Sequence, residues 1–304
     1  FSRVNVSLDW YTRTTKDLLM SKQLNSISGF SSLLTNVGQM RNTGVELEVR
    51  SNNIKTKDFS WTTAFNLSHN KNKILKLADL PWFVDGRYVR KEGYPFNTIY
   101  LREYAGVGPE TGSALYYDNQ QDENGNYTKN KVTDPGQASP IPLKDITPTI
   151  SGGFMNTFNY KFIDLSFNLS YSFGGYSYDN ASYILQDDGY SVISNKSTEQ
   201  RRRWQKPGDI TDVPRFVYGN KKGGNYNSSR AIHSTDHIRL KSLILGLNAP
   251  KAWLQKLGIG NARIYFSGTN LLTWAAYDQY DPEMSGAVGF YTPPLKTYAF
   301  GLEL

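Results

Sequence analysis

The stretch HSTDH sets His233, Asp236 and His237 at i, i+3 and i+4. That is a zinc-ligand spacing, but such residues share a face only on a helix, and the ion needs a suitably placed further ligand. Here the stretch runs into an alternating strand, so polar loop residues and no metal site are expected. GVGPETG (106–112) has the glycines of a phosphate loop but lacks the GKS/T ending, and Pro109 interrupts it, which makes it a turn. DNQQDENGN (118–126) has acidic residues near a glycine without the Asp-x-Asp-x-Asp-Gly order of a calcium loop. Glu46 and Glu48 sit at i and i+2 of a strand, roughly 6.5–7 Å apart on one face. Asp187 and Asp188 are adjacent. Either pair could serve acid–base hydrolysis only if one carboxyl were held protonated, and nothing local does that. With three His and no Cys, material for nucleophile–base pairs is scarce. No catalytic residue and no cofactor is expected.

Two groups point to contact rather than catalysis. Arg201, Arg202 and Arg203 adjoin Trp204; guanidinium forks suit phosphate and carboxylate, so lipopolysaccharide or a partner protein is one reading and a solvated helix face the other. Trp82, Phe83, Tyr88, Tyr94 and Tyr100 crowd one long loop. They either stack on a ligand such as a sugar ring or pack the loop on itself.

The elements that must carry these residues are strands. In FIDLSFNLSYSF, Ile163, Leu165, Phe167, Leu169, Tyr171 and Phe173 alternate with Asp164, Ser166, Asn168, Ser170 and Ser172, the period of a β-strand. Alternation recurs near residues 1–19, 44–50, 59–68, 149–162, 237–248, 262–274 and 295–304, about eight strands in all, most near the roughly nine to eleven residues of a tilted membrane strand. A soluble sandwich buries the apolar side and wets the polar one. A membrane barrel turns the apolar side to lipid and the polar side to a lumen.

Loop lengths discriminate between the two. Links at 51–58, 161–164 and 249–261 are short or modest. Those near 20–40, 70–148, 180–236 and 275–294 are far longer than compact soluble domains usually hold. Short and long links alternate, so all long links leave one end of the sheet, as in outer-membrane barrels with short periplasmic turns and long extracellular loops. This parity holds only if TIYLREY (98–104) stays within the outer loop. Short helices are expected at Asn180–Gln186, Ser197–Gln205 and within PKAWLQKLG. Aromatics near strand ends, among them Trp10, Tyr160, Tyr171 and Trp274, suit interfacial girdles.

Composition agrees. The chain of 304 residues is 38% hydrophobic and 14% aromatic, with 21 Tyr. No run approaches the roughly 18 apolar residues of a membrane helix, which excludes helical spans but not strands. The absence of Cys rules out disulfides and Cys-based metal or redox sites. The net charge of +7 is spread along the chain apart from Arg201–Arg203 and Lys221–Lys222, a weak footprint for nucleic acid. The opening FSRVNVSLDWYTR is already inside an alternating strand, so a piece of a longer protein is expected.

The region DHIRLKSLILGLNAPKAWLQKLGIGNARIYFSGTNLLTW, followed by YDQYDPE and closed by PPLKTYAFGLEL, resembles the end of SusC/RagA-like TonB-dependent transporters of Bacteroidetes outer membranes. NVGQMRNTGVELEVRSNN, FSWTTAFNLSHNKNKILKL, AGVGPETG and YKFIDLSFNLSYSFGG are similar to further segments of that family, in the right order and across essentially the whole chain. Gly108 stands where the family usually has Asp. The last residue is Leu304 where the family usually ends on an aromatic.

The resemblance implies an all-β fold. Residues 1–304 would form about eight C-terminal strands of a transmembrane β-barrel that has 22 strands in the family, without the N-terminal plug and TonB box. It further implies import of an oligosaccharide, glycan or peptide across the outer membrane. The partners would be a SusD-like surface lipoprotein, the TonB–ExbB–ExbD complex acting through the plug, and outer-membrane lipid or lipopolysaccharide; nucleic acid is not among them. A TonB-dependent siderophore or cobalamin receptor and a soluble β-rich carbohydrate-binding protein are the alternatives. Trp82, Tyr88, Tyr94, Tyr100, Arg201, Arg202, Arg203 and Trp204 are the candidate substrate or partner contacts.

Overall fold

The computed structural model describes residues 3–24, 26–30, 32–77, 81–220, 227–284 and 286–304. Eight strands form one sheet: β1 (Val4–Gln23), β2 (Ser32–Lys55), β3 (Phe59–Leu77), β4 (Ile150–Tyr160), β5 (Ile163–Phe173), β6 (His237–Asn248), β7 (Arg263–Ala275) and β8 (Thr297–Glu303). Each pairs antiparallel with the next, so sheet order is chain order, with β1 and β8 at its edges among the described residues. Every alternating segment of the sequence is a strand of this wall.

The connections keep the expected parity. At one end, residues 56–58 join β2 to β3, and Lys161 and Phe162 alone join β4 to β5. Lys161 takes a positive φ of 52° there, as so tight a reversal demands. The β6–β7 link holds the short helix α2 (Lys251–Leu257), ended by Gly258 in the left-handed region. All longer links leave the opposite, outer end.

The outer ends differ from expectation in one respect. Residues near 20–40 are mostly not a loop: β1 and β2 continue to pair there, with Met20 opposite Thr35. Residues 12–14 and the segment 41–43 opposite them are polar on both faces, and beyond them Leu18, Leu19 and Met20 run consecutively, so hydrophobicity does not alternate, and side-chain ladders mark the pairing instead. Arg41 Nε donates to Thr14 Oγ1 at 3.2 Å, and Asn72 Nδ2 donates to Asn42 Oδ1 at 2.8 Å. β4 and β5, with 11 residues each, have the length of a membrane strand, whereas β1, β2 and β3 run to 20, 24 and 19 and project beyond it.

The outer links fold on their own cores. Four strands of the β3–β4 link form a sheet in the order Ile141–Asp145, Thr98–Leu101, Tyr88–Lys91, Trp82–Asp85. The TIYL segment thus lies inside the loop, as the parity requires. A three-stranded sheet of Ile232–Ser234, Tyr176–Asp179 and Gly286–Val288 ties the β5–β6 link to the β7–β8 link. The helix α1 (Asn180–Leu185) starts at Asp179, whose carboxylate accepts from Ser182 N. STEQRRRWQ forms only the short 3₁₀ turn Thr198–Arg202. Lys221 and Lys222 lie outside the described residues.

Burial is inverted relative to a soluble sandwich. Buried apolar side chains cluster in the outer links and strand ends: Met20, Ile74 and Leu77 in one group, Ile99, Leu101, Tyr178 and Ala231 in another, Ala114, Tyr116 and Ala138 in a third. The wall keeps its large apolar side chains exposed, Leu8 at 67% and Phe300 at 82% among them.

Candidate functional site

Side chains paired across strands share a face, so the register sorts the wall into two surfaces. Val6, Val49, Phe65, Phe154, Leu169, Leu240 and Leu272 lie opposite one another across seven strands. The next row is Ser7, Glu48, Asn66, Gly153, Ser170, Arg239 and Thr273. One surface is therefore apolar and the other polar along the whole wall. A local exception on the apolar surface is Asn156, 2% exposed, whose Oδ1 accepts from Trp61 Nε1 and Thr63 Oγ1 at 2.8 Å each.

The β7–β8 link identifies the inner surface. Asp281 Oδ2 meets Arg239 Nη2 at 2.6 Å, and Glu283 Oε2 meets Arg239 Nη1 at 2.9 Å and Lys241 Nζ at 2.6 Å. This outer link thus folds over the polar surface, which is the side of the wall that the loop covers. Glu46 and Glu48 line it, Glu48 paired with Arg50 at 2.6 Å. They are ordinary wall carboxylates, not an acid–base pair. At the opposite end, Arg263 grips Asp164 through Nη2 and Nε at 2.7 and 3.2 Å, over Gly246 of the intervening strand.

Period-two alternation also sorts the loop aromatics. In the four-stranded loop sheet Trp82 pairs with Lys91, and Tyr100 pairs with Pro142, all on one face. Tyr88 and Ile99 point the other way, and Tyr88 packs against the Ile99–Tyr178 cluster. Trp82 and Tyr100 line a cavity of about 470 Å³, with ring centroids 6.0 Å apart and planes inclined by 48°. Tyr94 takes the Lys91 ammonium over its ring at 5.0 Å. Tyr127 and the amides of Asn119, Gln120 and Gln121 come to the same cavity from the neighbouring hairpin. The sequence marks 118–126 only as a solvated turn and does not single out Lys91, because their approach to Trp82 is set by how two small sheets pack.

The arginine run does not act as a unit. Arg202 pairs with Glu199 and, at 3.4 Å, with Asp212; Arg203 Nη1 donates to the Gln200 carbonyl. Arg201 is exposed. Trp204 donates from Nε1 to the Pro109 carbonyl at 2.7 Å and lies over Gly112, whose φ of +69° admits no side chain comfortably. GVGPETG is thus a turn capped by an indole.

The remaining constellations are structural. His233 stacks on Tyr277 at 3.7 Å, His237 Nδ1 lies 2.8 Å from the Thr235 carbonyl, and Asp236 accepts from Gly174 N. The three residues of HSTDH are thus turned to separate partners. Among the described residues no cluster of three or more His, Cys, Asp or Glu could hold a metal ion. Asp187 is paired with Lys196 at 2.6 Å, and Asp188, fully buried, with Arg230 through both guanidinium nitrogens at 2.5 and 3.2 Å. In the 118–126 stretch Asp122 accepts from the backbone of Asn124 and Asn126. The Thr128 hydroxyl bond, with support from Asn130, holds the Asp118 carboxyl below its ordinary value. Both belong to a tight solvated turn.

No family model matches the chain. It is 34% identical over 300 residues to TonB-dependent receptor P3 of Formosa agariphila, which covers 93% of this chain and 29% of that protein. It is 27% identical over 317 residues to TonB-dependent receptor SusC of Bacteroides thetaiotaomicron, 99% of this chain and 30% of that one. The fold superposes on the RagAB peptide transporter with a TM-score of 0.86 at 30% identity, again over 99% of this chain and 33% of that chain. The chain therefore spans about a third of the length of the relatives it matches. These relatives are receptors and transporters, not enzymes, and the match runs along the wall and its loops alike: the chain belongs to the SusC/RagA-like TonB-dependent receptors.

Proposed function

We propose that the chain is the C-terminal portion of the β-barrel of an outer-membrane importer driven by the TonB–ExbB–ExbD complex, and that the cargo is an oligosaccharide or peptide. The observation that carries this reading is the two-faced wall: large apolar side chains left exposed on one surface, a polar surface roofed by folded loops on the other. In the whole protein the apolar surface meets lipid and the polar one a lumen. Cargo is captured beneath the outer loops under a SusD-like lipoprotein lid, and TonB-driven displacement of a plug opens the way through the lumen. No residue here needs to do covalent chemistry. Exposed Arg201 and half-exposed Arg202 are offered to the lid or to lipopolysaccharide phosphate.

Deletion of the full-length gene tests this reading. Growth on a glycan or peptide carbon source should be lost, and a tagged copy should restore growth and co-purify with a lipoprotein. Unimpaired growth on every such source, together with recovery of the tagged protein in the aqueous phase of a detergent extract, would sink it.

A further inference from the structure

The cavity beside Trp82 is a built feature of the outer loop, separate from the wall. Its floor is the outward face of the four-stranded loop sheet, and its side is the hairpin that carries Asn119 to Tyr127. The other face of that sheet is spent on the loop's core. The Trp82 indole leans on Tyr100 and still keeps 45% of its surface exposed at the rim, whereas Tyr88, on the opposite face of the sheet, is packed into the loop's core.

The chemistry of the lining narrows what fits. Trp82 and Tyr100, 6.0 Å apart and inclined at 48°, lean on each other and together present one aromatic wall to the cavity. Aromatic faces carry negative quadrupole charge and attract the weakly positive C–H face of a pyranose ring. Around them stand side-chain amides, which both donate and accept and so suit vicinal hydroxyls. Gln120 is steadied by bonds from Nε2 to the Gln137 carbonyl at 3.3 Å and Ser139 Oγ at 3.2 Å. Asn119, 1% exposed, spends its amide on Glu103 and Lys129, which neutralise each other, and so shapes the lining while Gln120 and Gln121 supply the available amides. Burial, and then the nearby Tyr127, keep the Tyr100 phenol above its ordinary value, so it remains a neutral donor. The lining contains one formal charge, the Lys91 ammonium, and no carboxylate. At about 470 Å³ the cavity accommodates one or two sugar rings on the scale of known ligand pockets, roughly 300–1,000 Å³.

We infer that this loop cavity is a capture site for a sugar ring bearing an anionic group, carboxylate or sulfate, stacked against the exposed face of Trp82 beside Tyr100 with its charge on Lys91. The site deepens the importer reading by choosing glycan over peptide, and it rests on that reading only for its place in uptake, not for binding itself. A peptide is less well served: the cavity presents no carboxylate for a cationic end, and its aromatic planes suit rings rather than an extended backbone.

Saturation-transfer NMR and calorimetry on the full-length transporter in detergent test this directly. The probes are hexagalacturonate, a sulfated carrageenan hexasaccharide, neutral cellohexaose and hexaproline. At least one anionic sugar should bind more tightly than cellohexaose, with saturation reaching its ring C–H protons; which one binds separates carboxylate from sulfate. Trp82→Ala should weaken it tenfold or more while Trp82→Phe keeps most of the affinity. Lys91→Gln should abolish the preference for charge. Tighter binding of hexaproline than of any sugar, no sugar binding, or unchanged affinity in Trp82→Ala with normal thermal unfolding would each overturn the assignment. Intact sugar binding in a protein that fails the growth test would instead count against the importer reading.

Discussion

Arg239 of the wall and Asp281 of an outer link meet at 2.6 Å, with side chains only 3% and 7% exposed. This buried pair, extended by Glu283 to Lys241, holds the β7–β8 link down over the polar surface. It decides which surface of the wall is inside, because a loop can be roof only on the side to which it is tied.

Removing one partner should loosen the roof without unfolding the wall. Asp281→Ala leaves Arg239 its bond to Glu283 but removes both the charge-assisted bond, about 1.5–3 kcal/mol, and the acceptor of the Glu283 backbone N–H. Limited proteolysis of the full-length protein in vesicles should show cleavage within 276–296 accelerated roughly tenfold or more. The heat-dependent gel shift of the folded barrel should not change. Equal proteolysis of both proteins would mean that the clasp does not hold the link.

Adjacent residues of β5 should differ sharply in tolerance. Phe167 lies on the apolar surface opposite Leu243, and Asn168 on the polar one opposite Ser242. Phe167→Arg should cost about 2–4 kcal/mol on insertion and Asn168→Arg far less, since only the first sets a charge in lipid. Folding yield into vesicles, read by gel shift across urea, measures both. Similar yields would contradict the lipid-facing assignment.

Gly246 should be irreplaceable where Gly260 is not. A Cβ on Gly246 would collide with the Asp164 carboxylate and with Arg263 Nε, which meet across it. Nothing lies near a Cβ on Gly260. Gly246→Ala should cost about 1.5–3 kcal/mol by parting the charged pair, and Gly260→Ala should stay within roughly 0.5 kcal/mol. Thermal unfolding of the two variants side by side checks this, and equal midpoints would remove the constraint.

The β5–β6 loop should weaken in mild acid. Burial lowers the His233 pKa, more strongly than the neighbouring Asp179 raises it. The folded loop therefore resists a proton that the unfolded loop accepts below about pH 6.5. Stability is fully present above that pH and falls as pH drops from there toward the lowered folded value. Cleavage within 180–236 should rise between pH 7.5 and pH 5.5 in the native protein and stay level in His233→Gln. A rise of equal size in the variant would assign the effect to another group.

The wall was legible because its two surfaces, one apolar and one polar, impose opposite demands at every second residue. FIDLSFNLSYSF and its counterparts record those demands directly, and short and long links record the up–down path. The outer extensions of β1, β2 and β3 were not legible. Thr14 and Arg41 make one face polar and Asn42 and Asn72 the other, so pairing there leaves no alternation in hydropathy. The loop candidates were legible as residue types only. Trp82, Tyr88, Tyr94 and Tyr100 look alike in the chain, but pleat alternation and the approach of a second hairpin send Trp82 and Tyr100 to a cavity and Tyr88 into a core.

By itself the sequence determined strand number, strand direction and the polarity of each face, since these follow from local period and loop length. Only the tertiary structure decided which polar side chains meet: Arg239 with Asp281, Asp164 with Arg263, and Lys91 with the Trp82 cavity. Those contacts join residues far apart in the chain, and their geometry depends on register and loop packing, which no local pattern encodes.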